Sequence, residues 1–474
     1  MKNLTWQNPE QLFVAQDIKK CYSAAELRKH MKRIFLAVII TLTACTVYAQ
    51  ANFELSATEV ASRMGIGWNL GNTLEAGNNA NNFTNKGGLG AETSWQGTRC
   101  TPELFEFVRQ QGFQSVRIPC AWVMGHISNA STYEIDSRWM ARVKEIVDMA
   151  LNADLYVIIN QHWDGGWLER NITATGEAKE KNKAVLEAIW KQIANTFKDY
   201  DERLLFAGLN EPEANTLEAT LQLKEYESIF INTVRATGGN NEKRVLIVQG
   251  PTTNIDNTNA YYGEMPYDPT ATDRLMMEVH YYNPWQFWGM EKDEWWGNVF
   301  YYWGAGNHVS GSKHNATCGE ESTMREQLDL MKAQFVDAGI PVLIGEFGAN
   351  WRNVSGQQGE SQEKHDASIK LHYKLLVQYA LERGMVPMMW DTNYCGRPSM
   401  TIINRSNLTI YNHHMMDGIK EAMATGIKET YADSNHPSGK YDLQGRRLTD
   451  GHLHNGIVIE DGKKFIVNGS EALK

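Results

Sequence analysis

Pro341-Val342-Leu343-Ile344-Gly345-Glu346-Phe347-Gly348 is an apolar run closed by one acid. A run this short, bounded by proline and glycine, predicts a strand buried on both faces, as in a parallel sheet covered by helices. A carboxylate at the end of such a strand is costly to bury unless a partner holds it, which makes Glu346 a candidate site residue. Leu209-Asn210-Glu211-Pro212 repeats the construction, with Glu211 after an apolar run and Pro212 ending the ladder. For either glutamate alone, a salt bridge at the rim is the plain alternative.

Outward from these two runs, strand candidates centre near Ile66, Val116, Ile158, Phe206, Ile247, Met277, Leu343 and Met388. Amphipathic helices fill the gaps. Thr101-Pro102 supplies an N-cap and a first-turn proline, Leu104, Phe105 and Val108 follow at helical spacing, and Gly112 ends the helix. Asp136 caps another helix, whose Trp139, Val143, Ile146, Val147 and Ala150 share one face. Apolar strands alternating with helices imply an α/β protein with a parallel sheet. Eight such units in one domain favour a (β/α)8 TIM barrel over an open doubly wound sheet. The barrel is assigned to residues 50–430. In the tail, residues 431–474, Asp461-Gly462 between two β-prone runs predicts a short C-terminal β-hairpin.

In such a barrel the chemistry sits at the carboxyl ends of the strands. Arg117 interrupts Ser115-Val116-Arg117-Ile118-Pro119, and a buried guanidinium wants a carboxylate to hold. The third strand runs into His162-Trp163-Asp164, the sixth ends Glu278-Val279-His280-Tyr281-Tyr282, and the eighth ends Met389-Trp390-Asp391. Each of these groups alone is explained by core packing. Together they put polar or aromatic residues at one end of six strands, which packing alone rarely does. Two glutamates on nonadjacent strands suit glycoside cleavage, where retaining enzymes set the carboxyls about 5 to 5.5 Å apart.

The bulk properties agree. The 474 residues carry a net charge of −10, and removing the first 49, with seven Lys/Arg and three acids, leaves −14. Such a surface repels nucleic acid and anionic membrane, so a neutral substrate is expected. The 15 Trp and 19 Tyr offer flat faces that suit sugar rings, with core filling as the ordinary alternative. Residues 1–49 read as an upstream extension and a signal peptide: Met31-Lys32-Arg33 is a basic start, and the apolar Ile34–Leu42 run is too short to span a bilayer. Met31 is the expected true start, and the mature protein is expected to be secreted or held at a bacterial cell surface. Two cleavage readings compete. Val47-Tyr48-Ala49 before Gln50 has the small-residue pattern of ordinary signal peptidase and is favoured, while Leu42-Thr43-Ala44-Cys45 would lipidate Cys45. Cys100, Cys120, Cys318 and Cys395 are too scattered for a zinc site, and buried free thiols are expected. No metal, no cofactor and a monomeric state are expected.

Gly67-Trp68-Asn69-Leu70-Gly71-Asn72, Val116-Arg117-Ile118-Pro119, Asn210-Glu211-Pro212, His280-Tyr281-Tyr282 and Gly345-Glu346-Phe347-Gly348 resemble glycoside hydrolase family 5 of clan A, in order and spacing from about Met64 to Trp390. Thr93-Ser94-Trp95 and Val279-His280-Tyr281-Tyr282-Asn283-Pro284-Trp285 look most like its subfamily 4, which includes endoglucanases, mixed-linkage glucanases and xyloglucanases. The resemblance implies a retaining, endo-acting hydrolase of β-1,4-glucan-type polysaccharide. By position it makes Glu211 the acid/base and Glu346 the nucleophile, and it gives Asn210 the sugar 2-hydroxyl. It makes Tyr282 and Arg117 the holders of Glu346, assigns His162 and His280 to the −1 subsite, and makes Trp390 its stacking floor. One departure is visible, since Gln161-His162-Trp163 stands where a His-His pair is common. The tail resembles the C-terminal sorting segment of type IX secretion.

Other chemistries fit less well. Gly65-Ile66-Gly67 followed by Gly71 has the wrong spacing for a dinucleotide site, and neither G-x-S-x-G nor H-E-x-x-H occurs. His413-His414 lacks nearby carboxylates and is expected at the surface. A non-catalytic glycan-binding barrel would keep the aromatic residues and usually lose one carboxylate, and a mannanase or xylanase would share the framework. The loop from Pro284 to Cys318, with Trp285, Trp288, Trp295, Trp296 and Trp303, is expected to build subsites.

Overall fold

The computed structural model describes residues 53–396, 398–432, 440–441, 456–460 and 463–467. The proposed signal segment and Cys45 lie outside them. The barrel strands are β1 (Gly67–Asn69), β2 (Ser115–Ile118), β3 (Tyr156–Asn160), β4 (Leu204–Ala207), β5 (Leu246–Asn254), β6 (Leu275–Tyr281), β7 (Val342–Phe347) and β8 (Val386–Met389). Each pairs in parallel with its sequence neighbours, and β8 returns to β1 through Gly67 opposite Met388, so the sheet is a closed barrel. No edge is left unpaired. Each of the eight expected strand centres falls on or beside one of these strands.

The strands alternate strictly between two environments. Val116, Val157, Ile159, Phe206, Val248 and Ile344 face outward into a layer shared with the helices. Ile158, Leu205, Ile247, Met276, Leu343 and Met388 face inward and pack together at the lower end of the barrel. The helix Ala57–Met64 closes that end with Val60 and Met64. It is started by Ser56 and Glu59 in a reciprocal capping box. One step further along the same inward faces the side chains turn polar: Asn69, Arg117, Asn160, Gln249 and Glu278, all wholly buried. The barrel is therefore greasy below and ionic above, and the ionic layer is the floor of the site.

Gly345 shows how tightly that layer is packed. A Cβ there would collide with Glu278 Oε1. Only a residue without a side chain lets the Glu278 carboxylate cross the interior. Gly345→Ala is expected to destabilise the fold by about 1–3 kcal/mol through overpacking. A lowered midpoint in thermal melts checks this, and an unchanged midpoint would show that Glu278 has room to move.

The helix signals hold, with one local difference. Asp136 accepts from Arg138 N and starts Ser137–Asn152, whose Trp139, Val143, Ile146, Val147 and Ala150 are buried. Thr101 sits at the N-cap of Pro102–Gln110 but its hydroxyl makes no bond to the helix backbone. It bonds the Glu103 side chain instead. The cysteine expectation holds for half of the set. Cys100 and Cys120 are buried free thiols, whereas Cys318 and Cys395 are free and exposed, because both lie in polar loops beyond the barrel strands. Lys463–Val467 pairs antiparallel with Gly456–Glu460, the two arms of the expected hairpin, while Asp461-Gly462 lies outside the described residues.

Candidate active site

Arg117 is the hub of the ionic layer. Its Nη1 donates to Glu346 Oε1 at 2.9 Å and to Asn69 Oδ1 at 3.1 Å. Its Nη2 donates to Asn210 Oδ1 at 2.9 Å, and its Nε lies 3.0 Å from Glu278 Oε1. A planar guanidinium with fixed donors thus sets the orientation of side chains from three other strands and from the segment after β4 at once. Glu278 is also held by Gln249 Nε2 at 2.7 Å. Burial alone would raise the Glu278 carboxyl, but Arg117 and His280 outweigh it and hold the group below its ordinary value.

A register shift in the β6–β7 pairing falls between Val279 and His280 and sets His280 opposite Glu346. His280 Nδ1 is 2.8 Å from Glu211 Oε1, and its Nε2 is 3.3 Å from Glu278 Oε1. Burial opposes a charge on this ring. The carboxylates of Glu346, Glu211 and Glu278 overcome it and push the imidazole up to about 10, so both ring nitrogens carry protons.

His162 has the opposite state. Burial first, then the charges of Arg117 and His280, push it well below its ordinary value, so it is neutral. Asn160 fixes the tautomer. Its Oδ1 accepts from Cys120 N at 3.1 Å, which turns Nδ2 toward His162 Nδ1 at 3.0 Å. With Nδ1 accepting, the proton sits on Nε2, which faces Glu346 Oε1 at 3.9 Å. The ring stacks on Trp390 with centroids 5.6 Å apart and planes 5° apart.

Tyr282 donates its hydroxyl to Glu346 Oε2 at 3.0 Å. Burial and then the Glu346 charge push the phenol well above its ordinary value, so it stays a donor. Burial also pushes the Glu346 carboxyl up, and the Glu211 and Glu278 charges add to this, while His280 and Arg117 pull the other way. Donors on both of its oxygens favour its anion at neutral pH. One carboxylate oxygen each of Glu211 and Glu346 and a ring nitrogen of His280 lie within 4.8 Å of one another. Glu211 is the open member, with 40% of its side chain exposed.

The eight residues singled out in the sequence converge here: Arg117, His162, Asn210, Glu211, His280, Tyr282, Glu346 and Trp390. Three more were not singled out, namely Glu278, Asn69 and Glu169. Glu169 comes from a 3-10 turn after β3, and its Oε2 accepts from Asn210 Nδ2 at 3.2 Å and from Glu211 N at 3.1 Å. Asp164 and Asp391, which also close strands, are committed to structure. Asp164 accepts from Val123 N and Met124 N, and Asp391 accepts from Ile402 N, Ile403 N and Arg405.

Above these residues lies a cleft of about 630 Å³, lined by Glu211, His280, Tyr282, Trp285, Glu346 and Trp390 among others. A second lobe of about 340 Å³ continues past Trp390 between Trp95 and Trp163. Trp163, the residue in place of a second histidine, is a wall of this lobe and carries the Arg170 guanidinium 4.4 Å over its ring. The long loop divides its tryptophans three ways. Trp285 and Trp288 line the cleft, and Trp295 projects into solvent at 94% exposure with Trp296 beside it at 49%. Trp303 is buried, donates to Gly319 O at 2.7 Å and packs on Phe287, so it is core and builds no subsite.

Residues 76–396 match the family model for cellulase, glycosyl hydrolase family 5. Endoglucanase A of Paenibacillus barcinonensis is 34% identical over 75% of this chain and 87% of its own length. A solved xyloglucan-specific β-1,4-glucanase of this family from a ruminal metagenomic library, XEG5B in complex with XXLG, superposes with a TM-score of 0.71 at 40% identity, covering 84% of this chain and all of that one. The GH5-4 broad-specificity endoglucanase of Bacteroides salanitronis gives a TM-score of 0.67 at 33% identity, over 78% of this chain and 96% of that one. Barrel, ionic floor and paired carboxylates therefore have a common origin: the chain belongs to glycosyl hydrolase family 5 and is an endo-β-1,4-glucanase-type glycoside hydrolase.

Proposed function

We propose that this hydrolase cleaves a substituted β-1,4-glucan of the xyloglucan type by double displacement, with Glu346 as nucleophile and Glu211 as acid/base. The spacing of the two carboxylates carries the reading. An oxygen of Glu211 and one of Glu346 lie within 4.8 Å of each other, which suits the close pair of a retaining enzyme, with carboxyls about 5–5.5 Å apart, better than the about 6.5–9.5 Å of an inverting one. Glu346, aligned by Arg117 and Tyr282, attacks the anomeric carbon and forms a glycosyl-enzyme. Glu211, whose Oε1 lies 2.8 Å from His280 Nδ1, protonates the departing oxygen. Glu211 then draws a proton from water, which releases the sugar with its configuration retained. His162 and Asn210 offer N–H donors to the sugar in the −1 subsite, and Trp390 gives its ring a flat floor.

Xyloglucan is favoured over unbranched glucan by the likeness to XEG5B. Reducing-sugar release on xyloglucan, barley β-glucan, carboxymethylcellulose, xylan and mannan tests this. The expected order puts xyloglucan first and xylan and mannan at background. Proton NMR of the first product should show the β-anomer, and an α-anomer at early time would overturn the double displacement. Activity on none of the polymers would favour a glycan-binding barrel.

The domain reading is likewise a proposal: residues 1–49 direct export, 50–430 form the catalytic domain and 431–474 act as a sorting tail. Among the described residues no helix is long and apolar enough to cross a membrane. N-terminal sequencing of the exported protein should begin at Gln50, and a start at an acylated Cys45 would select the lipid-anchored alternative.

A further inference from the structure

We propose that Glu169 is a positioning residue for proton transfer, holding the Asn210-Glu211 dipeptide in its working orientation. The inference rests on the reading of Glu211 as acid/base. Glu169 lies on the short turn Glu169–Asn171 after β3, outside the strand ends where the other site residues sit. Three of its bonds run to the end of β4. Its Oε2 accepts from Asn210 Nδ2 and from Glu211 N, and its carbonyl oxygen accepts from Glu213 N at 2.9 Å.

The bonds to Asn210 have a specific consequence. Asn210 Oδ1 accepts from Arg117 Nη2, and one of its two N–H donors goes to Glu169. A flip of the amide would set its N–H donors against the guanidinium and its oxygen against the carboxylate, so only one orientation is tolerated. In that orientation one N–H stays available to the sugar. The bond to Glu211 N fixes the backbone from which the acid/base side chain projects.

Glu169 has no compensating cation: among the described residues no Lys, Arg or His forms an ion pair with it. Burial and then the Glu211 charge push its carboxyl up to about 7. An acid held at such a cost beside two other carboxylates adds little to stability. What its side chain does accomplish is the placement of Asn210 and Glu211.

Leaving-group dependence separates positioning of an acid from general damage, since a dinitrophenolate departs without protonation. The kcat/KM values of Glu169→Ala, Glu169→Asp and Glu169→Gln are measured on cellotetraose and on 2,4-dinitrophenyl cellobioside. A misplacement of about 1 Å costs on the order of 100-fold. Glu169→Ala and Glu169→Asp, whose carboxylate falls short, should lose about 10–100-fold on cellotetraose and at least about fivefold less on the aryl substrate. Glu169→Gln keeps an acceptor oxygen at the same reach and should stay within about threefold of wild type on both. If the alanine variant does not fold in a melting experiment, the aspartate and glutamine variants carry the same comparison. Wild-type rates for Glu169→Asp on cellotetraose, or equal losses on the two substrates, would overturn the proposal. Glu211→Ala in the same assay keeps the two readings apart. If it shows the leaving-group split and the Glu169 variants do not, only the positioning role falls; if it shows none, the acid/base reading falls.

Discussion

Glu346→Gln should lower kcat on xyloglucan by about 10⁴-fold or more, the scale seen when a covalent nucleophile is removed. Gln keeps its one oxygen for Arg117 Nη1 and turns its amide nitrogen to the Tyr282 hydroxyl, which can accept as well as donate, so the fold should survive and the loss should sit in chemistry. Glu211→Gln should cost about 10²–10⁴-fold, the range for general acid–base assistance. The two roles separate cleanly with alanine variants, an activated aryl glycoside and azide. Without Glu211 the glycosyl-enzyme still forms, and azide takes it over to give the β-glycosyl azide. Without Glu346 no intermediate forms, and azide enters the vacated face to give the α-glycosyl azide. Swapped products would exchange the two assignments. Near-wild-type turnover in either glutamine variant would remove that residue from the mechanism.

Much of this site was legible because the fold writes it into the sequence in one repeated way. Parallel strands covered on both faces are continuous apolar runs, so a polar residue that interrupts or ends one is conspicuous. Arg117, Glu211 and Glu346 were found by that contrast alone. Glu278 interrupts the apolar Leu275–Tyr281 run in the same way but was overshadowed by His280 and Tyr282 at the strand's end, although its two-residue spacing from His280 sets both on the inner face of β6. Asn69 was quoted in a motif, yet an asparagine at a strand end has many ordinary uses. Glu169 had no signal at all. It lies on an irregular turn after β3, and only folding brings it to Asn210. The tryptophans of the 284–318 loop teach the same limit from the other side. Composition cannot tell Trp303, locked on Phe287, from Trp285 in the cleft, because burial in a loop depends on what packs above it.

Arg117→Met should damage stability and activity together. The variant leaves Glu278 and Glu346 buried without their shared cation, and breaking a buried pair from one side costs about 3–5 kcal/mol. For a barrel of this size that corresponds to about 3–6 °C in the melting midpoint. Turnover should fall by about 10²–10³-fold, as when one preorganised donor is lost, because Glu346 and Asn210 both lose their alignment. The pH dependence fixes the cause. In the wild type Glu278 is held below its ordinary value of 4.5, so its contribution is present above about 4.5 and is lost as pH falls through the depressed value. In the variant burial is no longer opposed by Arg117, and the carboxyl moves up. Its ionisation then works against folding, most strongly at high pH. The stability gap between the two proteins should widen from pH 5 to pH 8. His280 does not disturb the comparison. Its raised value gives stability that is complete below about 6.5 and declines toward pH 10, a loss the two proteins share to first order. Melts of both at pH 5, 6.5 and 8 decide the matter: a gap that stays constant across this range would mean that Arg117 acts through packing and not through charge.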